Sequence, residues 1–194
     1  MNEEPVRNRP LASVTPLTAD STRIAPWQPG GMLNLRGPAQ QSGFTDAVAQ
    51  IAGTPLAVVP NTFTRTGPLT LLWLGPDEWL LVADPDNAAP REALAEALHG
   101  QRAAITAADC SYAGIELTGP DATALLARGT PVDLHPSRFA PGSCAQTRLA
   151  KATVILWRTD EALRMLVRRS MAGYLWRWLE VVSERVERAT IAAR

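Results

Sequence analysis

Apolar residues along this chain come in short runs, most of them cut by Gly-Pro pairs or acidic turns. Residues 32–35 alternate as a strand does, and Gly37-Pro38 stops them. A helix is predicted over 45–52, with Val48 and Ile51 spaced for one face and Thr45 placed as its N-cap. The runs 70–74 and 79–83, bounded by Gly75-Pro-Asp-Glu78, read as a hairpin. Pro90 then suits the first position of a helix that turns Leu94 and Leu98 inward.

The same order returns further along. Residues 114–117 form a strand, Gly119-Pro-Asp121 opens a helix bearing Leu125 and Leu126, and 153–157 and 163–167 are paired strands across Thr159-Asp-Glu161. A last helix over 170–188 carries Leu175, Trp178, Leu179, Val182 and Val186 on one stripe, with Arg177, Glu180, Glu184 and Arg188 opposite. The punctuation repeats too. Leu33-Asn-Leu-Arg-Gly-Pro38 answers Ile115-Glu-Leu-Thr-Gly-Pro120, Gly53-Thr-Pro55 answers Gly129-Thr-Pro131, and Pro60 with Phe63 answers Pro136 with Phe139. Trp73 and Trp157 are expected at matching strand positions, aimed at the same face. The pattern predicts an α+β fold of internally duplicated β-α-β-α units forming one pseudo-symmetric domain with a mainly antiparallel sheet. Repeat one covers about 31–101 and repeat two about 102–188, within a single domain over 31–194.

Residues 1–30 hold five of the 16 prolines and little periodicity, so they read as an extended N-terminal arm. It is either a strap lying on a partner or plain disorder. At 46% apolar content the chain can bury a substantial core. Its 19 cationic and 19 acidic side chains balance, which removes the global field that would draw in nucleic acid or an anionic membrane. Lys151 is the lone lysine, so the cations are nearly all arginine, through coding bias or an arginine-rich interface. The longest apolar run, 69–74, is far too short to span a bilayer, and the N-terminus has no signal-peptide core. The expected compartment is the cytoplasm, with the thiols reduced.

Candidate chemistry is sparse. Cys110, His135 and Cys144 could supply a nucleophile and its base, with Asp133 as orienter, but Asp133 and His135 sit in a proline-bounded stretch where both have turn-making uses. Two cysteines 34 apart and two histidines make a metal site improbable. The Gly-Pro junctions before helices match neither a Walker loop nor a dinucleotide fingerprint, and proline lacks the N–H an anion would use. The expectation is therefore no catalytic, cofactor-binding or metal residue in this chain. Trp176 flanks the stripe of the last helix and fits either a partly exposed subunit contact or the core edge.

The segment Ile115-Glu-Leu-Thr-Gly-Pro-Asp-Ala-Thr-Ala-Leu-Leu126, then Gly129-Thr-Pro-Val-Asp-Leu-His-Pro136, Phe139, Pro141-Gly-Ser-Cys-Ala-Gln-Thr147 and Val154-Ile-Leu-Trp-Arg158, resembles the gamma subunits of heterotetrameric sarcosine oxidases. Leu74-Gly-Pro-Asp-Glu-Trp-Leu-Leu-Val82 fits the first half of that pattern, and the likeness covers most of the chain after about residue 30. The family is similar to a shortened folate-binding domain of the glycine-cleavage aminomethyltransferases, whose fold is duplicated with exchanged strands. The resemblance implies an accessory subunit, partnered by alpha, beta and delta subunits, in an enzyme that oxidatively demethylates sarcosine to glycine. That enzyme uses oxygen, forms hydrogen peroxide and passes the one-carbon unit to tetrahydrofolate. FAD, FMN, NAD and zinc would belong to the other subunits. The aminomethyltransferases' essential aspartate aligns with Thr153, which cannot supply a carboxylate, and this argues for a non-catalytic chain. The rival reading is a stand-alone folate-dependent transferase, and a third is the same subunit in a complex for another N-methyl amine.

Overall fold

The computed structural model describes residues 10–19 and 21–192, with side chains described through residue 185. In chain order the elements are β1 (Leu17–Ala19), β2 (Thr22–Trp27), β3 (Gly31–Arg36), α1 (Ser42–Ala52), β4 (Phe63–Thr66), β5 (Leu69–Gly75), β6 (Glu78–Ala83) and α2 (Arg91–Ala97). They continue as β7 (Ala104–Ala107), β8 (Tyr112–Thr118), α3 (Ala122–Ala127), β9 (Cys144–Leu149), β10 (Ala152–Arg158) and β11 (Ala162–Arg168). A 3-10 turn, Arg169–Met171, then leads into α4 (Ala172–Ala192). All strand pairings are antiparallel.

Strand alternation sorts the side chains into three layers, one under each pair of helices and one between the sheets. On β3, β5 and β6 the residues Leu33, Leu35, Leu71, Trp79 and Leu81 pack under α1 and α2 with Phe44, Val48 and Leu94, while Met32, Leu72, Leu80 and Val82 face the other sheet. On the second sheet Ile115, Leu117, Val154, Leu156, Met165 and Val167 pack with Leu125, Leu126, Leu175 and Leu179 of α3 and α4, and Ile155, Trp157 and Leu166 face inward. The order is helix, sheet, sheet, helix. Strands buried on both faces must be apolar at nearly every position, which is why these strands read as runs.

The two sheets share one internal order. One runs β4-β5-β6-β3-β7 and the other β9-β10-β11-β8-β2-β1. β2 runs directly into β3 in the chain yet pairs with β8, while β7 runs directly into β8 yet pairs with β3. Each half therefore lends its leading strand to the sheet of the other.

This exchange corrects the expected arm. From residue 10 onward the segment is part of the domain, with Leu11, Ala19, Ile24 and Trp27 all buried; residues 1–9 lie outside the described residues. Prolines masked the strand. Pro26 is accommodated because β1 has ended at Leu17 opposite Ile24, so the outer side of β2 has no ladder partner there. Thr45 is not a cap either: α1 begins three residues earlier, its cap position is Gln41, and the Thr45 hydroxyl donates to the Gln41 and Ser42 carbonyls within the first turn. Val186 and Arg188 of the expected α4 faces have side chains outside the described residues. Trp176 is 3% exposed and belongs to the core, and Trp178 is the half-buried tryptophan of that helix.

The tryptophan match also fails, by one residue. Two-residue turns with a left-handed first residue, Gly67 and Ala150, make Leu69 equivalent to Ala152, so Leu74 corresponds to Trp157 and Trp73 to Leu156. A bulge between Trp73 and Gly75 adds the residue that spoils the alignment by sequence. Trp157 lies between the sheets, edge-to-face with Trp27 at 5.6 Å, whereas Trp73 is only partly buried. The large buried ring of β5–β6 is Trp79, which packs on Phe44 and donates from Nε1 to the Ala57 carbonyl at 2.7 Å.

An ion pair joins the same two strands of each half. Leu71, Leu81 and Leu33 lie side by side in one sheet as Val154, Val167 and Ala113 do in the other. Three residues along, Arg36 faces Glu78 at 2.8 Å and Glu116 faces Arg164 at 2.7 Å. β3 carries the arginine and β6 the glutamate of one pair, β8 the glutamate and β11 the arginine of the other, so the polarity is reversed between the halves.

Trp79→Ala is expected to lower unfolding free energy by about 3–5 kcal/mol, since it opens a cavity and orphans the Ala57 carbonyl. Trp73→Ala should cost markedly less, and chemical denaturation of the two variants checks the order. Deleting residues 1–30 should abolish the cooperative thermal transition, because it removes β1 and β2 and leaves β8 an unpaired edge; an unchanged melting temperature would contradict the exchange.

Candidate functional site

Charged side chains that interrupt apolar strands mark the joint between the halves. Arg164 breaks the run of β11, and its guanidinium donates to Glu116 on the neighbouring β8 and, at 3.3 Å, to Asp84 at the end of β6 in the opposite half. Asp84 also accepts from Arg65 of β4. The Arg164 guanidinium stands 4.8 Å from the ring centroid of Trp27, on the exchanged β2. Arg65, Asp84, Arg164 and Glu116 thus form one chain of charge across both sheets, each side chain about a third exposed or less. Interrupted hydrophobicity is its one signal in the sequence.

Beside this latch, a cleft of about 380 Å³ opens where the β2–β3, β6–α2 and β7–β8 connections meet. Gln28, Asn87, Asp109, Cys110, Tyr112 and Arg169 are among its lining residues. Its walls are already bonded to each other. Asp109 Oδ1 accepts the Met32 N–H at 2.6 Å, Asn87 Nδ2 donates to the Pro85 carbonyl, and the Arg169 N–H donates to Ser111. Gly30 is required here, since a Cβ would lie 2.0 Å from the Asn87 carbonyl oxygen.

The residues singled out by sequence are dispersed among structural tasks. The Asp133 carboxylate accepts the backbone N–H of His135, not its ring, and His135 Nδ1 pairs with the Ser137 hydroxyl at 2.7 Å. Cys144 begins β9 and is buried between the sheets, where its thiol donates to the Thr62 carbonyl at 3.1 Å and more weakly to that of Trp73. Burial pushes this thiol up to about 12, against a smaller downward pull from the bond with Trp73. It is uncharged at neutral pH and a poor nucleophile. Cys110 is exposed on the cleft. No hydrogen bond joins any two of Cys110, His135 and Cys144. Thr153 is an exposed residue of β10 opposite Arg148. Among the described residues no cluster of three or more His, Cys, Asp or Glu side chains is suited to a metal, and no helix is long and apolar enough to cross a membrane.

The Gly-Pro junctions are turns. Gly37 donates to the Asp77 carbonyl and leaves no room for a Cβ against the Phe44 ring, while Gly119 has φ of 109° and Ser21 packed on it. Arg158, its charge disfavoured by burial, donates to the Thr123 hydroxyl and the Leu134 carbonyl and ties α3 to the following loop.

Comparison with known proteins bears on this arrangement. Residues 36–185 match the sarcosine oxidase gamma subunit family. A sarcosine oxidase subunit gamma from Corynebacterium sp. strain U-96 is 36% identical over 134 residues, 69% of this chain and 64% of the relative. One from Corynebacterium sp. strain P-1 is 35% identical over 143 residues, 71% of this chain and 68% of the relative. The matches therefore take in about two thirds of those relatives' lengths. A chain of the heterotetrameric sarcosine oxidase from Corynebacterium sp. U-96 superposes with a TM-score of 0.80 at 27% identity over 88% of both chains. Aminomethyltransferase T of the glycine cleavage system from Bartonella henselae shares the fold, with a TM-score of 0.61 at 17% identity over 84% of this chain and 46% of that one.

Iodoacetamide at pH 8 should modify Cys110 in the native protein and reach Cys144 only after unfolding, as peptide mass mapping would show. Because the folded thiol of Cys144 titrates above its ordinary value of 9.0, its contribution to stability is whole below that pH and is lost as pH rises toward 12. Between those limits wild type should lose stability faster than Cys144→Ala, and parallel slopes would contradict the burial.

Proposed function

The chain belongs to the sarcosine oxidase gamma subunit family, and from that premise we propose that it is the accessory gamma subunit of a heterotetrameric, cytoplasmic sarcosine oxidase. The observation that carries this reading is the shared fold over 88% of both this chain and its counterpart in the Corynebacterium enzyme. In the proposed complex, alpha, beta and delta subunits hold FAD, FMN, NAD and zinc. The assembled enzyme converts sarcosine to glycine, reduces oxygen to hydrogen peroxide and delivers the one-carbon unit to tetrahydrofolate. The gamma chain contributes assembly rather than chemistry, and its catalytic, cofactor-binding and metal residues are none.

Three features support that division of labour. Asp133 and His135 are used in a turn and Cys144 is buried in a strand, which leaves Cys110 exposed on the cleft with neither histidine nor cysteine hydrogen-bonded to it. Thr153 stands where the aminomethyltransferases are expected to carry a carboxylate. The duplicated architecture, in which each half lends a strand to the sheet of the other, offers sheet edges and loops for contact. A stand-alone folate-dependent transferase, or the same subunit in a complex for another N-methyl amine, is separated by the experiment below.

Co-expressed with the other three subunits, the chain should co-purify in a complex that forms peroxide from sarcosine. Purified alone, it should be colourless, form no peroxide, and show no calorimetric binding of tetrahydrofolate near the micromolar range, about −8 kcal/mol. One-carbon transfer by the isolated chain would favour the transferase, and a complex active only on a different secondary amine would reassign the substrate.

A further inference from the structure

The connection from α1 to β4 and the connection from α3 to β9 begin with segments of equal length and matched punctuation. Gly53-Thr-Pro-Leu-Ala-Val-Val-Pro60 aligns without a gap on Gly129-Thr-Pro-Val-Asp-Leu-His-Pro136. The second copy is what such a loop does when it serves its own domain. Leu134 is 2% exposed in the core beneath α3 and α4, its carbonyl held by Arg158 at 2.9 Å, and charged or polar Asp133 and His135 face water.

The first copy does the reverse. Val58, at the position of Leu134, is 63% exposed, and Val59, at the position of His135, is 60% exposed. Among the described residues these two and Tyr174 are the large apolar side chains left in solvent. The tip is not loose. Trp79 Nε1 holds the Ala57 carbonyl at 2.7 Å, the Thr62 hydroxyl holds that of Val59 at 2.7 Å, and the Thr64 hydroxyl holds that of Pro55 at 2.6 Å. Leu56 and Ala57 are buried immediately before the tip. Three hydrogen bonds and two buried side chains thus hold two β-branched residues outward, and such a surface loses little entropy on binding. No charged residue occurs from 47 to 64, the composition of an interface centre rather than of open surface.

We propose that the Val58–Val59 tip is a preformed plug that seats in an uncharged, apolar pocket of another subunit of the oxidase. This rests on the reading of the chain as a subunit of a larger complex. A second copy of the chain fits less well, because a two-fold contact at this point would set convex tip against convex tip, and an isologous patch must be complementary to itself. Two valines are also too small to hold a dimer alone, given the roughly 800 Å² per partner of a stable interface. They suit the anchored centre of a wider heterologous contact.

The full-length chain, co-expressed with alpha, beta and delta subunits, tests this through Val58→Ala/Val59→Ala and Val58→Asp/Val59→Asp. Both isolated variants should melt as wild type does. In the complex, subunit affinity measured by competition with tagged wild-type chain should fall roughly tenfold for the alanine pair and further for the aspartate pair. If the aspartate pair folds poorly, the alanine pair decides. Variants that assemble with wild-type affinity would overturn the plug. Self-association of the isolated chain that the aspartate pair abolishes would overturn it in favour of a second copy. Failure of wild type itself to assemble would instead overturn the subunit reading, and the plug with it.

Discussion

The exchange of β2 and β7 between the sheets is the contact on which the rest of the molecule depends. Without β2, β8 would present an unpaired edge and the inter-sheet core would lose Trp27; without β7, β3 would be an edge strand. Neither half can bury both faces of its own sheet, because one face of each is covered only by the other sheet. The Arg164 network sits on this crossing, joining Asp84 of one half to Glu116 of the other beneath the ring of Trp27. Its members are partly solvated, so its role is best understood as fixing the relative placement of the sheets rather than as supplying much stability.

Sequence pattern located the elements that are buried on both faces or amphipathic. β5, β6, β10 and β11 are apolar runs bounded by turns, and α1, α2 and α4 have one-sided stripes, so all emerged close to their observed limits. The strands that escaped are those whose burial is incomplete. β4 and β7 are edge strands with polar or small residues, and β9 alternates Cys, Gln and Arg with half-buried positions. β2 escaped for a different reason: its partner is about ninety residues away, and Pro26 disguises a strand that tolerates proline only because its outer neighbour has stopped. The bulge at Trp73 belongs to the same class, since a backbone irregularity leaves no trace in hydropathy.

At the candidate site the sequence was most informative about turns. Proline on both sides of Asp133 and His135 pointed to a local hydrogen-bonded bend, and the Asp133 contact to the His135 N–H is that bend. What could not be foreseen is which polar residues meet across the halves. Asp109 with Met32, Gln146 with Leu74, and Arg164 with Asp84 are separated by 70 residues or more, and periodicity carries no information on such pairs. The contrast between the loops after α1 and α3 became visible only through burial, because valine and leucine are equally apolar on paper and differ here in whether the domain provides them with a floor.

A protein built from two similar halves must also keep each strand with its proper neighbour. The reversed polarity of Arg36–Glu78 and Glu116–Arg164 bears on that problem. If β3 strayed to β11 with Leu33 beside Val167, Arg36 would stand opposite Arg164, and β8 on β6 with Ala113 beside Leu81 would set Glu116 against Glu78. Like charges facing across a ladder are repulsive. Correct pairing puts opposite charges together twice, and crossed pairing puts like charges together twice. Two otherwise interchangeable edges are thereby given distinct labels, and a chain that has doubled its own pattern retains a means of telling one copy from the other.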